Sequence, residues 1–192
     1  MDTSMKNNHE TKKLLSSSLK ELMKKKPVEQ ISIREITELA GLNRQTFYYH
    51  FEDIYDLLKW TFQQEALVLI DVHESAKVWQ EGLLQLFHYL DENRDICLCA
   101  LQSLGREHIK RFFYSDIHDI IYRVVYEFGI KLQAQKEYVS FLSHFFTLSL
   151  GAIVESWLNG ELEQSPEELV NMIDLFVQDQ LRGAEQRIFN HK

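Results

Sequence analysis

The twenty residues from Ser32 to Phe51, SIREITELAGLNRQTFYYHF, constrain what this chain can fold into more than any other part of it. Ser32 and Glu35 stand at the Ser-x-x-Glu spacing of a capping box, in which each side chain meets a backbone donor left free at a helix start. Ile33, Ile36 and Leu39 then repeat at helical spacing. Gly41 follows where a tight turn benefits from the absence of a Cβ, and Asn43 can cap a second helix. Phe47 and Phe51 lie four residues apart, so they share a face. The pattern predicts two short helices, about 32–40 and 43–50, with the aromatic side of the second turned inward and Arg44, Gln45 and Thr46 near its exposed start.

Only two prolines and seven glycines occur in 192 residues, which favours long helices over a loop-rich or all-β chain. Helical periodicity predicts a first helix over about 11–24, ended by Pro27, after a polar, frayed leader at 1–8. A longer helix is expected from Asp53 to about His73, then helices at 78–90, 94–104, 106–128, 136–159 and 166–186. Asn159-Gly160 supplies a stop, while Ser165, Pro166 and Glu168 supply a capped start. The expected fold is all-α: a three-helix module with a helix-turn-helix, residues 9–52, followed by a larger helical ligand and dimerisation domain, residues 53–188. Charges are expected to interrupt every apolar run before membrane length, so no membrane span is predicted. No signal peptide is read, and Cys97 and Cys99 suit a reducing cytoplasm better than a disulfide framework.

A net charge of -8 argues against a nucleic-acid ligand until its distribution is considered. Through residue 60, ten Lys or Arg residues face nine Asp or Glu, so the acidity is concentrated in the remainder. DNA senses the local field, to which Lys12, Lys13, Lys24, Lys25 and Lys26 contribute unless they form an ordinary solvated face. Arginine can donate two hydrogen bonds to guanine and glutamine can pair with adenine in the major groove, making Arg44 and Gln45 the candidates for base readout. Thr46, Tyr48, Tyr49, His50 and Lys12 are candidates for phosphate contact, His50 most strongly if protonated. Of the tyrosines, Tyr48 fits an outward position better, with Tyr49 expected to be partly packed. The implied partner is double-stranded DNA, with a palindromic operator if the protein is a homodimer.

These residues carry a resemblance to the tetracycline-repressor family of bacterial transcription regulators. Thr37 to Asn43 resembles the family's turn, Arg44 to Phe51 resembles its recognition helix, and the likeness covers about residues 10–58. It implies an all-helical homodimer with a DNA module and a variable C-terminal domain for a ligand or partner. It also implies phosphate contacts at Thr46, Tyr48 and His50. One departure is Ile54, where many members open the fourth helix with lysine. A narrower likeness, in Arg44 to Tyr48, Leu57 to Trp60 and Tyr89 to Asn93, is to the branch containing the dihydroxyacetone kinase operon activators, and implies a partner protein as coactivator.

In the C-terminal part, Phe145, Leu148, Gly151, Ala152, Glu155, Ile173 and Val177 are candidates for a dimer interface in which two helices from each subunit meet. Periodicity does not separate that role from an intrachain core. Trp60, Phe87, Cys97, Phe113, Tyr122 and Tyr126 are candidates for the walls of an effector pocket, although large aromatics also fill ordinary cores. Cys97 and Cys99 are two apart on a helix, and His88, His108, His118 and His144 lack a compact metal-ligand spacing, so no metal or cofactor is expected. Ser140 and Ser143 near His144 do not make a nucleophile motif. The reading is therefore a cytoplasmic, non-enzymatic regulator modulated by an unknown small effector or coactivator protein. The competing reading is a helical protein-interaction adaptor, or an activator without a small-molecule ligand of its own.

Overall fold

A computed structural model describes residues 2–71, 79–103 and 105–190, with side chains described over 8–70, 79–103 and 114–186. Its elements are α1 (Asp2–Met23), a 3-10 turn (Val28–Gln30), α2 (Ile33–Leu39), α3 (Arg44–His50), α4 (Ile54–Phe62), a π turn (Gln63–Leu67), α5 (Val68–Asp71), α6 (Trp79–Glu92), α7 (Arg94–Ser103), α8 (Gly105–Lys131), α9 (Lys136–Leu158) and α10 (Pro166–Asn190). Among the described residues there is no strand. Helix α1 begins at Asp2 rather than after a frayed leader, since no glycine or proline interrupts residues 2–10. The long helix expected from Asp53 is broken in phase by the π turn, and its end beyond Asp71 lies outside the described residues.

Two compact units divide the chain. One is Met1–Glu65 with Asn93–Ile109, the other Ala66–Glu92 with Lys110–Lys192. Helices α4 and α7 both belong to the first unit. The core there gathers Leu15, Leu19, Val28, Ile36, Phe47, Leu57, Ile96 and Cys97. Buried Thr61 bonds back to the Leu57 carbonyl at 2.9 Å and meets the Ser16 hydroxyl at 3.0 Å. Lys20 reaches both carboxylate oxygens of Glu65 in the π turn, at 2.8 and 2.7 Å. Helix α7 is tied to the 3-10 turn: Ser103 Oγ accepts from the Val28 N–H at 3.1 Å, and the Cys99 thiol donates to the Lys26 carbonyl at 3.6 Å.

In the second unit, α6 packs against α5 and α10. Phe87 is fully buried, edge-on to Trp157 with ring centroids 5.3 Å apart. Gln80 Nε2 donates to Asp174 Oδ1 at 2.9 Å. Close approach of α8 and α9 requires Gly129, where an added Cβ would fall 2.6 Å from Val139 Cγ2. Helix α9 is long and apolar enough, by length and composition alone, to cross a membrane, a test that the core helix of a globular protein also passes.

The α2 cap supplies a test. Ser32 N–H donates to Glu35 Oε2 at 2.9 Å, Glu35 N–H donates to Ser32 Oγ at 3.3 Å, and Lys26 Nζ donates to Glu35 Oε1 at 2.6 Å. The Lys26 hydrogen bond first, then those from Ser32, lower the Glu35 carboxyl from its ordinary 4.5 to about 2. A carboxylate depressed on folding contributes stability that is present above the unfolded value and lost as pH falls through the folded one. Thermal melts should show the Glu35→Gln variant converging with the parent chain as pH drops from 4.5 toward 2, and lying below it at neutral pH.

Candidate nucleic-acid interface

Helix α3 has only seven residues, too short to persist alone in water, so its stability comes from the groups that pin it. Gly41 makes the preceding turn at φ +67°, where a side chain would be strained, and the Leu42 N–H closes it on the Thr37 carbonyl at 2.8 Å. Asn43 Oδ1 accepts from the Thr46 N–H at 2.8 Å, as its position predicted. Phe47 is 0% exposed and its ring lies 5.9 Å from that of Phe51. Burial of these two rings leaves Arg44, Gln45, Tyr48 and Tyr49 exposed.

Several details depart from the sequence reading. Tyr49 is the more open tyrosine, 78% exposed against 61% for Tyr48, because the Tyr48 ring meets the edge of Phe47 at 5.8 Å. Thr46 is half-buried and its hydroxyl donates to Asn43 Oδ1 at 3.0 Å, which commits the proton that a phosphate contact would use. His50 is held below its usual range, by burial first and by the Lys12 charge second, which disfavours its protonated form. Lys24 and Lys26 are paired with Glu21 and Glu35, at 2.7 and 2.6 Å, and contribute little net field. Lys12 differs: its ammonium sits 5.4 Å from the Phe51 ring centroid and 5.8 Å from that of Trp60. The start of α4 is acidic, with Asp53 capping the Asp56 N–H at 2.8 Å and Asp56 accepting from the Glu52 N–H at 3.1 Å.

The described effector-pocket candidates are divided between the two units. Trp60 stands beside Phe51 in the first unit, and Cys97 is buried there with its thiol pushed up to about 12, chiefly by burial. Phe87 fills the second unit's core against Trp157. Tyr122 and Tyr126 belong to a stack along α8 that also contains Tyr114 and His118. The side chain of Phe113 lies outside the described residues. His118 Nε2 and His144 Nδ1 approach to 3.2 Å, a pairing of α8 with α9 that the spacing did not disclose.

Of the dimer candidates, Phe145, Leu148, Gly151 and Ala152 are exposed on α9, while Glu155, Ile173 and Val177 are half-buried. Helix α9 also exposes Phe141, and α10 exposes Met172 and Leu175 beside Phe176; of these, Phe141, Met172 and Leu175 were not singled out in the sequence. Their signal was present in the 141-145-148-152 and 172-175-176 spacings, but spacing does not reveal which apolar phase the fold leaves open.

Residues 17–59 match the family model described as bacterial regulatory proteins, tetR family, and residues 77–179 match the one described as transcriptional regulator C-terminal region. The chain belongs to the tetR family. This tetR-family protein is 29% identical over 173 residues to the HTH-type dhaKLM operon transcriptional activator DhaS of Lactococcus lactis subsp. lactis (strain IL1403), covering 88% of this chain and 91% of the relative. A solved structure of the dihydroxyacetone kinase operon activator DhaS matches with a TM-score of 0.71 and 28% identity, over 90% of this chain and 96% of that one. NalD, the secondary repressor of the MexAB-OprM multidrug efflux pump in Pseudomonas aeruginosa, shares the fold at a TM-score of 0.59 and 16% identity, over 92% and 96% of the two chains. The tetR-family protein is thus a DNA-binding transcriptional regulator with a helical C-terminal region.

The anchor of α3 can be tested separately from its polar face. Phe47→Ala should cost about 3–5 kcal/mol of unfolding free energy, as for other fully buried phenylalanines. Urea titration measures this directly, and a loss under about 1 kcal/mol would show that the ring does not hold the helix.

Proposed function

We propose that the protein acts as a homodimer on a palindromic operator, with Arg44 and Gln45 reading base edges and Tyr48, Tyr49, His50 and Lys12 contacting the backbone. Thr46 joins them only if its hydroxyl leaves Asn43. The observation carrying this reading is the exposure of Arg44 and Gln45 on a short helix whose opposite side is clamped by Phe47. The exposed apolar faces of α9 and α10 support a subunit interface in which two helices from each copy pack together. Such symmetry would set the two α3 helices about 34 Å apart, one turn of duplex.

Regulation enters in this proposal through the C-terminal region, by a small ligand or a partner protein that changes the spacing of the two readers. A partner protein is the second reading, favoured by the stack on α8, whose last member Tyr126 is 48% accessible. No chemical turnover is needed, and the protein would work in the cytoplasm with its DNA.

Binding-site selection on random duplexes tests the assignment of roles. Arg44→Ala should lose about 1–3 kcal/mol of discrimination at one base pair of each half-site, whereas Tyr48→Phe should weaken all sequences alike. An unchanged preference in Arg44→Ala would contradict base readout by that side chain. Leu148→Glu places a charge in the α9 face. Sedimentation should then show monomers and footprinting should show the symmetric protection lost, and a fully dimeric variant would contradict the assigned interface.

A further inference from the structure

His118 and His144 stand 26 residues apart in the chain, yet the fold brings their imidazoles together. His118 Nε2 on α8 lies 3.2 Å from His144 Nδ1 on α9, with ring centroids 4.7 Å apart and ring planes at 72°. A straight N–H···N bond of that length would hold the centroids about 5.5 Å apart, so any hydrogen bond between these rings is bent. Two imidazoles on one tetrahedral zinc, at about 2.0–2.1 Å each, bring their ligating nitrogens to about 3.3 Å of one another. The two helices hold their histidines at the separation of a ligand pair.

Both rings are positioned by their neighbours. His118 is stacked between Tyr114 and Tyr122, one turn away on either side along α8, at 5.7 and 6.2 Å. Tyr114 also meets the His144 ring edge-on at 5.7 Å. On α9, burial of Ser143 and Thr147 leaves His144 on the exposed side, open to an ion from solvent. Asp119 Oδ1 lies 3.8 Å from His118 Nδ1; a carboxylate there favours the proton on Nδ1 and leaves a lone pair on Nε2. The Ser140 carbonyl oxygen is 3.2 Å from His144 Nδ1 and accepts a proton carried there. With that proton on the outer Nε2 instead, both facing nitrogens are acceptors and the ring stays neutral. The surrounding charge suits a cation: from Tyr114 to Tyr122, α8 carries Asp116 and Asp119 and no Lys or Arg, and α9 carries no Lys or Arg between Glu137 and Glu155.

We propose that His118 Nε2 and His144 Nδ1 bind one divalent ion of the imidazole-preferring class, zinc foremost with nickel and copper, and so join α8 to α9. Magnesium and calcium do not fit this donor set, since both take oxygen ligands. Among the described residues no group of three or more His, Cys, Asp or Glu is placed to hold an ion, so water completes the coordination and the ion exchanges with solvent. The pair lies wholly within the second unit and does not depend on α3 being the DNA reader.

Isothermal titration of the full chain with zinc chloride, in a buffer that does not chelate, tests this. His118→Asn and His144→Asn should each weaken zinc binding by about tenfold or more. The double variant should weaken it by less than the product of the two effects, because the two rings act as one chelate. His9→Asn, at an exposed position in the other unit, should leave the binding unchanged, and millimolar magnesium should not displace the zinc. Because His144 is exposed, its variant keeps the result readable if circular dichroism shows His118→Asn to be unfolded. Parental binding in both variants would mean an adventitious ion only, and a loss confined to one folded variant would leave a single histidine as ligand; either result overturns the pair. A parent chain that binds no zinc overturns it as well.

Discussion

The inward clamp of Phe47 against the first unit's core is the constraint on which the DNA-reading surface depends. A seven-residue helix forms too few internal hydrogen bonds to offset the entropy of ordering its backbone. Burial of Phe47 and Phe51 supplies what is missing and also sets the rotation of α3 about its axis. Once that rotation is set, Arg44, Gln45, Tyr48 and Tyr49 face away from the molecule without further instruction. The caps at Ser32 and Asn43 fix where the two helices start, and Gly41 fixes the turn between them.

Electrostatics act on top of this frame and locally. The chain is acidic as a whole, and even within the first unit several lysines are neutralised by neighbouring glutamates. The cations at α3 include Arg44 at its start and Lys12, whose ammonium lies over Phe51, at its end. In the proposed reading, DNA would be held through a few placed contacts rather than a broad basic surface, which would limit non-specific association. The acidic opening of α4 sharpens that limit, because Asp53 and Asp56 are used as caps where a cation would otherwise attract the backbone.

Local chemistry was well legible in the sequence. Ser32 with Glu35, Asn43 with Thr46, and Ser165 with Glu168 all form the hydrogen bonds their spacing implied, and Gly160 takes the positive φ of a helix stop. Features that arise from contacts between distant segments were not. The π turn at Gln63–Leu67 changes helical phase without a glycine or proline to announce it. Membership of α7 in the first unit depends on Cys99 and Ser103 meeting Lys26 and Val28 across more than seventy residues. An aromatic on a helix has no intrinsic label, and only the packing shows that Trp60 faces Phe51 and Lys12. The open side of α9 was hidden for the same reason, since a helix apolar over most of its circumference does not reveal which phase its own chain covers.

Everything functional in this account follows from α3 entering a major groove. Dimethyl sulfate methylation of guanine N7, an atom exposed in that groove, measures this most directly on a duplex recovered by binding-site selection. The account predicts protection at guanines in two half-sites about one helical turn apart, with the protection lost in the Arg44→Ala variant. Unaltered N7 reactivity in a duplex that the protein demonstrably occupies would contradict it.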